Sequence, residues 1–151
     1  MKRNLMKIFT VMLALVACLA IVACGEKLAI DEEDMDWEIV LVSDDRTGKV
    51  LYCAAEFKDV YPDAVTLDLS CEASNGKLVI MNEKTDIGYL GTYTVDKAGN
   101  ESSYNVVMTG ENGKLEGYAE VTKATLYNDT VEYNLIIVID GYTLHFKSVD
   151  K

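Results

Sequence analysis

The chain has 151 residues, with 14 basic and 25 acidic side chains and a formal net charge of −11 at pH 7. That length suits one domain with a sizeable hydrophobic core. Such an acidic chain argues against nucleic acid as a partner, because phosphates are bound through a basic stripe and the sequence has none.

The N-terminus has the layout of an export signal. Three basic residues (Lys2, Arg3 and Lys7) precede an uncharged, mostly apolar run over residues 8–23. Small residues then lead into a polar stretch, as in a cleaved signal peptide. A permanent transmembrane helix needs about 20 apolar residues, which is more than this run provides. We therefore expect residues 1–23 to be a signal peptide.

The end of this run, Ile21-Val22-Ala23-Cys24, resembles the bacterial lipobox. The resemblance implies that the Cys24 thiol receives a diacylglyceryl group, that the signal is cut before it and that the new N-terminus is usually acylated. Leu15-Val16-Ala17-Cys18 fits the pattern equally well. Cleavage there would leave further apolar residues on the mature chain, whereas cleavage before Cys24 leaves Gly25-Glu26-Lys27. We therefore assign lipidation to Cys24.

Lipidation would set the location of the protein. Stable anchoring takes more than one acyl chain, and a lipobox cysteine normally carries two or three. Cleavage of the signal peptide would remove three basic residues and no acidic ones, so the mature chain would have a net charge of 11 − 25 = −14. We expect the chain to lie on the extracytoplasmic side of the cell membrane or outer membrane, in contact with it through the lipid. Residues 24–36 then form an acidic tether.

From Trp37 onwards, short runs of alternating apolar and polar residues predict β-strands. Asn-Gly and Asp-Gly turns between several of them are typical of hairpins. Eight or nine strands at this spacing predict an antiparallel sandwich or barrel over residues 37–151. Residues 49–61 fit a strand or a helix, and we favour the strand. The other predicted strands are 37–42, 65–73, 77–81, 89–96, 103–109, 114–122, 131–139 and 142–149.

The alternation also predicts which side chains face the core. Trp37, Ile39 and Leu41 share one face of the first strand, and Leu144 and Phe146 share one face of the last. Truncating Trp37 or Phe146 should therefore be costly. His145 should face the solvent.

Two cysteines are left after the signal and Cys24 are set aside. If residues 50–57 pair with residues 67–74 about a turn at Pro62, Cys53 and Cys71 lie opposite each other on inward faces. An exported domain can keep a disulfide between them. The alternative is two separate buried thiols.

Residue types for catalysis or metal binding are sparse. His145 is the single histidine, and a zinc site or a hydrolase triad needs further convergent partners that the sequence does not offer it. The acidic tether lacks the turn glycine of a calcium loop. We expect no catalytic residue, no metal and no cofactor, and hence no enzyme. The nine tyrosines could form a binding surface if they converge, but tyrosine is also common in half-buried strands.

The region after the tether resembles the lipocalin-like small lipoproteins of bacteria. The residues that carry the resemblance are "DWEIVLVS" (36–43), "RTGK" (46–49), "GTY" (91–93), "NGKL" at 75–78 and 112–115, and "IDGYTLHFK" (139–147). The family implies an antiparallel up-and-down barrel of about eight strands. Members of that family often have no assigned activity, and we expect a non-catalytic interaction or binding module of the cell envelope, whose partner would be an envelope protein or a glycan. The alternative is a small apolar ligand inside the barrel, which the large inward residues disfavour.

Overall fold

The computed structural model describes residues 29–30, 35–82, 84–85, 87–96, 102–110, 113–126 and 129–150. Within them the chain forms ten β-strands and one turn of 3₁₀-helix at Ala55–Phe57. The strands are β1 (Met35–Asp44), β2 (Lys49–Cys53), β3 (Val65–Thr66), β4 (Ser70–Ser74), β5 (Lys77–Asn82), β6 (Ile87–Val95), β7 (Ser103–Gly110), β8 (Gly113–Thr125), β9 (Val131–Ile139) and β10 (Tyr142–Asp150).

Eight of these strands close into an antiparallel barrel. Strands β4 to β10 are neighbours in chain order, and β1 lies between β4 and β10. The β1–β10 ladder runs from Met35 opposite Asp150 to Asp44 opposite Tyr142. Closure satisfies backbone groups that an open sheet would expose along its edge. The predicted all-β, up-and-down antiparallel barrel is confirmed.

One edge of β1 is shared by two strands. Trp37 and Glu38 pair with β4, whereas the stretch from Leu41 to Asp44 pairs with β2. β3 pairs in parallel with β2 and lies outside the barrel. The predicted strand 65–73 is therefore split into β3 and β4, and the predicted 49–61 strand ends at Cys53 and gives way to the 3₁₀ turn.

A β-bulge in β1 changes which side chains face the interior. Ile39 lies opposite Phe146, but the register then shifts and Leu41 lies opposite His145. An extra residue in one strand reverses the alternation beyond it. Leu41 therefore shares the outer face with His145, and Val42 points inward in its place. The prediction that Leu41 faces the core is wrong for this reason.

Side chains fill the interior of the barrel. Trp37 and Phe146 are fully buried, as predicted, and they belong to one continuous cluster with side chains from the surrounding strands. Its other buried members are Ile30, Ile39, Val42, Cys71, Leu78, Ile80, Tyr93, Tyr104, Val106, Met108, Ala119, Val121, Leu135 and Ile137.

Ile30 closes one end of this core. Its N–H donates to the Tyr104 hydroxyl at 3.1 Å, and its carbonyl accepts from the Trp37 indole N–H at 3.1 Å. Tyr104 lies in β7, which is four strands from β1 in either direction around the barrel, so Ile30 bridges opposite walls. The domain therefore includes part of the segment that was predicted to be tether. We call this the N-terminal end of the barrel; the β4–β5, β6–β7 and β8–β9 connections lie at the same end.

Removing either large aromatic side chain from the core should destabilise the barrel strongly. Trp37→Ala and Phe146→Ala should each lower the free energy of unfolding by about 3–5 kcal/mol. The matched control is Tyr142→Ala, because Tyr142 lies on the same face of β10 as Phe146 but is 41% exposed. Urea unfolding measures all three. Equal losses for Phe146→Ala and Tyr142→Ala would contradict the difference in burial between these two positions.

Candidate functional site

The segment between β2 and β3 crosses the outer face of β1 and β10. The N–H of Ala54 donates to the Val40 carbonyl at 2.9 Å, and Glu56 forms an ion pair with Lys147 on β10. Val40, Cys53 and Ala64 are buried, yet they do not belong to the interior cluster. The crossover thus covers a second, smaller apolar region outside the barrel wall.

Cys53 and Cys71 lie on opposite faces of that wall. Cys53 is opposite Leu41 on the outer face, whereas Cys71 is opposite Trp37 and belongs to the interior cluster. Both are buried free thiols. The register about Pro62 on which the disulfide was predicted is not formed, because β2 pairs with β1 and β3 rather than with β4.

Cys71 is also chemically quiet. Burial raises the pKa of its thiol, and the neighbouring carboxylate of Glu72 raises that pKa further. The thiolate is the reactive form of cysteine, so a thiol held protonated in an apolar interior is inert. Cys71 therefore serves the packing of the core.

His145 points outward, as predicted, but it is half-buried. Its Nε2 atom lies 2.8 Å from Oδ1 of Asn134. An amide oxygen only accepts, so Nε2 carries the proton in this contact. Burial lowers the pKa of His145, which favours the neutral ring. An amide partner orients the imidazole but does not exchange protons with it, so the pair has a structural role.

A cleft of about 180 Å³ opens at the seam between β1 and β4. Its charged side chains largely compensate one another: Glu56 pairs with Lys147, and Lys84 lies 3.2 Å from Asp68. Asp68 and Lys84 are well exposed, so water screens their attraction. The cleft is smaller than the usual ligand pocket of about 300–1,000 Å³. Its lining is Glu38, Ile39, Ala54, Ala55, Glu56, Thr66, Leu67, Asp68, Leu69, Lys84 and Lys147.

Exposed aromatic and aliphatic side chains occur at the end of the barrel opposite Ile30. Tyr52 lies beside Val42 and Val65 across the β1–β2–β3 sheet, and Tyr142 begins β10 opposite Asp44. Tyr52, Val65 and Tyr142 are 38%, 60% and 41% exposed. We call these three residues the tyrosine patch. The tyrosine patch was not predicted from the sequence, because Tyr52 and Tyr142 come to the same end of the barrel only through the pairing of β2 with β1.

The other tyrosines are distributed between different environments. Tyr93 and Tyr104 pack edge to face inside the barrel, with ring centroids 5.7 Å apart. Tyr118 is exposed on the wall, and Tyr133 lies beneath the Lys123 ammonium. The tyrosines that the structure describes therefore do not converge on one binding face as a group, and Tyr127 lies outside the described residues.

The predicted lipidation site lies outside the described residues, as does Cys18, the alternative. Across the described parts of the chain, no helix is long and apolar enough to cross a membrane. In the same residues, no three His, Cys, Asp or Glu side chains are grouped so that they could hold a metal ion. Comparisons with protein-family models, with curated proteins and with solved structures each give no match to this chain.

The lowered pKa of His145 predicts a pH dependence of stability. As the pH falls below the ordinary histidine pKa of about 6.5, the unfolded chain takes up a proton that the folded chain does not, so stability decreases. In urea unfolding at about pH 7.5 and about pH 5.5, His145→Gln should lose less stability than the unsubstituted chain. In Asn134→Asp, protonation of His145 at the lower pH should increase the free energy of unfolding rather than decrease it, because a carboxylate stabilises the imidazolium. Identical pH dependence in all three proteins would contradict this assignment.

Proposed function

We propose that the mature chain begins at a lipidated Cys24 and is held on the extracytoplasmic face of a membrane. We propose further that its barrel is a non-catalytic interaction module of the cell envelope. The observation that carries the second part is the filled interior: large side chains meet at the centre, and Ile30 closes one end. Binding then takes place on the outside of the barrel.

The interior also distinguishes this proposal from storage of a small apolar ligand. An eight-stranded barrel is just wide enough to be filled by side chains or to hold one small ligand. Here Trp37, Phe146, Tyr93 and Met108 all belong to the interior cluster. Their bulk supports a packed core rather than a container.

The tyrosine patch is the surface best suited to a partner. It lies at the end of the barrel away from Ile30, and therefore away from the tether. Tyrosine combines an apolar ring with a hydroxyl group and is enriched in protein interfaces. In an anchored protein this patch would face away from the membrane, towards an envelope protein or a glycan.

Substitution of the lipobox cysteines tests the anchoring. The chain expressed in its host should incorporate fatty acid and sediment with membranes. Cys24→Ala should abolish both, because the acceptor thiol is removed. Cys18→Ala should leave both intact, since that side chain is only an apolar member of the signal. The reverse result would move the lipidation site to Cys18.

A neutral hydrophobic fluorophore, N-phenyl-1-naphthylamine, tests the filled interior. The native protein should show no saturable one-to-one uptake, because the core leaves no room for the dye. Saturable uptake by the unsubstituted chain would favour an internal ligand instead.

A further inference from the structure

We propose that the cleft at the seam between β1 and β4 is a binding site for a small primary alkylammonium ion. Glu38 receives the ammonium group at the rim, and the apolar floor of the cleft takes the alkyl chain. This site is separate from the tyrosine patch, and it does not depend on the proposed anchoring of the chain.

The cleft lies where β1 changes partners. On the β4 side of this change, the N–H of Ile39 donates to the Leu69 carbonyl at 2.9 Å. On the β2 side, the N–H of Ala54 donates to the Val40 carbonyl, also at 2.9 Å. These two hydrogen bonds join β1 to different segments of the chain, and the cleft of about 180 Å³ opens between the two segments. Its shape is therefore fixed by backbone pairing.

The floor of the cleft is apolar. Ile39 is buried in the interior cluster, and Ala54, Leu67 and Leu69 pack against that cluster from the cleft. Removing methylene groups from water against such a surface is favourable. A volume of about 180 Å³ equals the liquid volume of about six water molecules. An amine with a chain of four or five carbon atoms has the matching size.

The charged side chains around the cleft leave one carboxylate without a partner. Lys147 pairs with Glu56, and Lys84 pairs with Asp68. The carboxylate of Glu38 is exposed and makes no ion pair or hydrogen bond with any residue that the structure describes. Lys147 lies opposite Glu38 in the β1–β10 ladder, but its ammonium is held by Glu56. The uncompensated negative charge therefore favours a cation.

The arrangement suits an organic ammonium group better than a metal ion. A hard metal ion needs several converging oxygen ligands, and the carboxylates of the described residues are not grouped closely enough to provide them. An ammonium group has a single charge, which one carboxylate balances, and it has three N–H donors. Thr66 also lines the cleft, and its hydroxyl can accept a second of these hydrogen bonds.

Two probes of equal size separate the charge from the alkyl chain. The full chain is purified in neutral detergent, and backbone amide shifts are followed by NMR as n-butylammonium chloride or 1-butanol is added. The expected result with n-butylammonium is a saturable shift at the amides of Ile39, Ala54 and Leu69. The neutral alcohol should produce a much smaller change, because it gains little from the Glu38 carboxylate.

A matched pair of variants tests the role of Glu38. Glu38→Gln should weaken n-butylammonium binding about tenfold, because a charge-assisted hydrogen bond is lost. Glu116→Gln removes the same charge from an exposed position on β8, which is three strands from β1 around the barrel, and should bind as the unsubstituted chain does. If Glu38→Gln fails to fold, Ala55→Leu replaces it, since the added side chain fills the cleft from the exposed crossover.

Three results would overturn the proposal. Equal weakening by Glu38→Gln and Glu116→Gln would show a general attraction of cations to an acidic chain. Equal shifts with 1-butanol would show that Glu38 does not recognise the ammonium group. The absence of a saturable shift at the cleft with n-butylammonium would show that the site does not bind this class of ligand.

Discussion

The hydrogen bonding of β1 is the constraint on which the rest of the structure depends. A strand has two edges, and β1 gives one of them entirely to β10. The other edge is divided end to end between β4 and β2. The pairing of β1 with β4 closes the barrel. The pairing of β1 with β2 forces the chain to leave the barrel. The crossover, the buried region beneath it and the cleft at the seam all follow from this division.

Local features of the sequence predict the hairpins of the barrel well. Asn75-Gly76 and Asp140-Gly141 adopt positive φ angles in their turns, which asparagine, aspartate and glycine tolerate better than other residues. Such turns, together with strict alternation in β7 and β10, determine both the hairpins and the inward position of Phe146. Gly117 depends instead on a contact between strands: a Cβ there would lie 2.9 Å from the Cβ of Ile139, so β8 and β9 approach too closely for any larger residue.

The features that were not predicted depend on contacts between distant parts of the chain. Alternation shows that residues 37–42 form a strand, but it does not show that two strands share one edge or that a bulge reverses the faces. The prediction that Cys53 lies opposite Cys71 assumed that two strands pair about a turn at Pro62, and that pairing does not form. The bulge in β1 also places Cys53 on the outer face of the barrel. Ile30 had a weak signal of its own, because it ends the short apolar run Leu28-Ala29-Ile30 ahead of the acidic residues of the tether. The Trp37 indole N–H also needed a partner, since a buried tryptophan usually finds one.

The Ile30 bridge has a mechanical consequence for an anchored protein. Tension between the membrane and a partner held at the tyrosine patch would enter the barrel at Ile30. Because Ile30 is bonded to both Trp37 in β1 and Tyr104 in β7, the load would be divided between opposite walls. The share carried by β1 acts along the strand, so its ladder with β10 is loaded in shear and its hydrogen bonds must fail together rather than one by one. Forced unfolding is governed by the height of the unfolding barrier, and this attachment point would raise that barrier in the direction in which the protein is pulled.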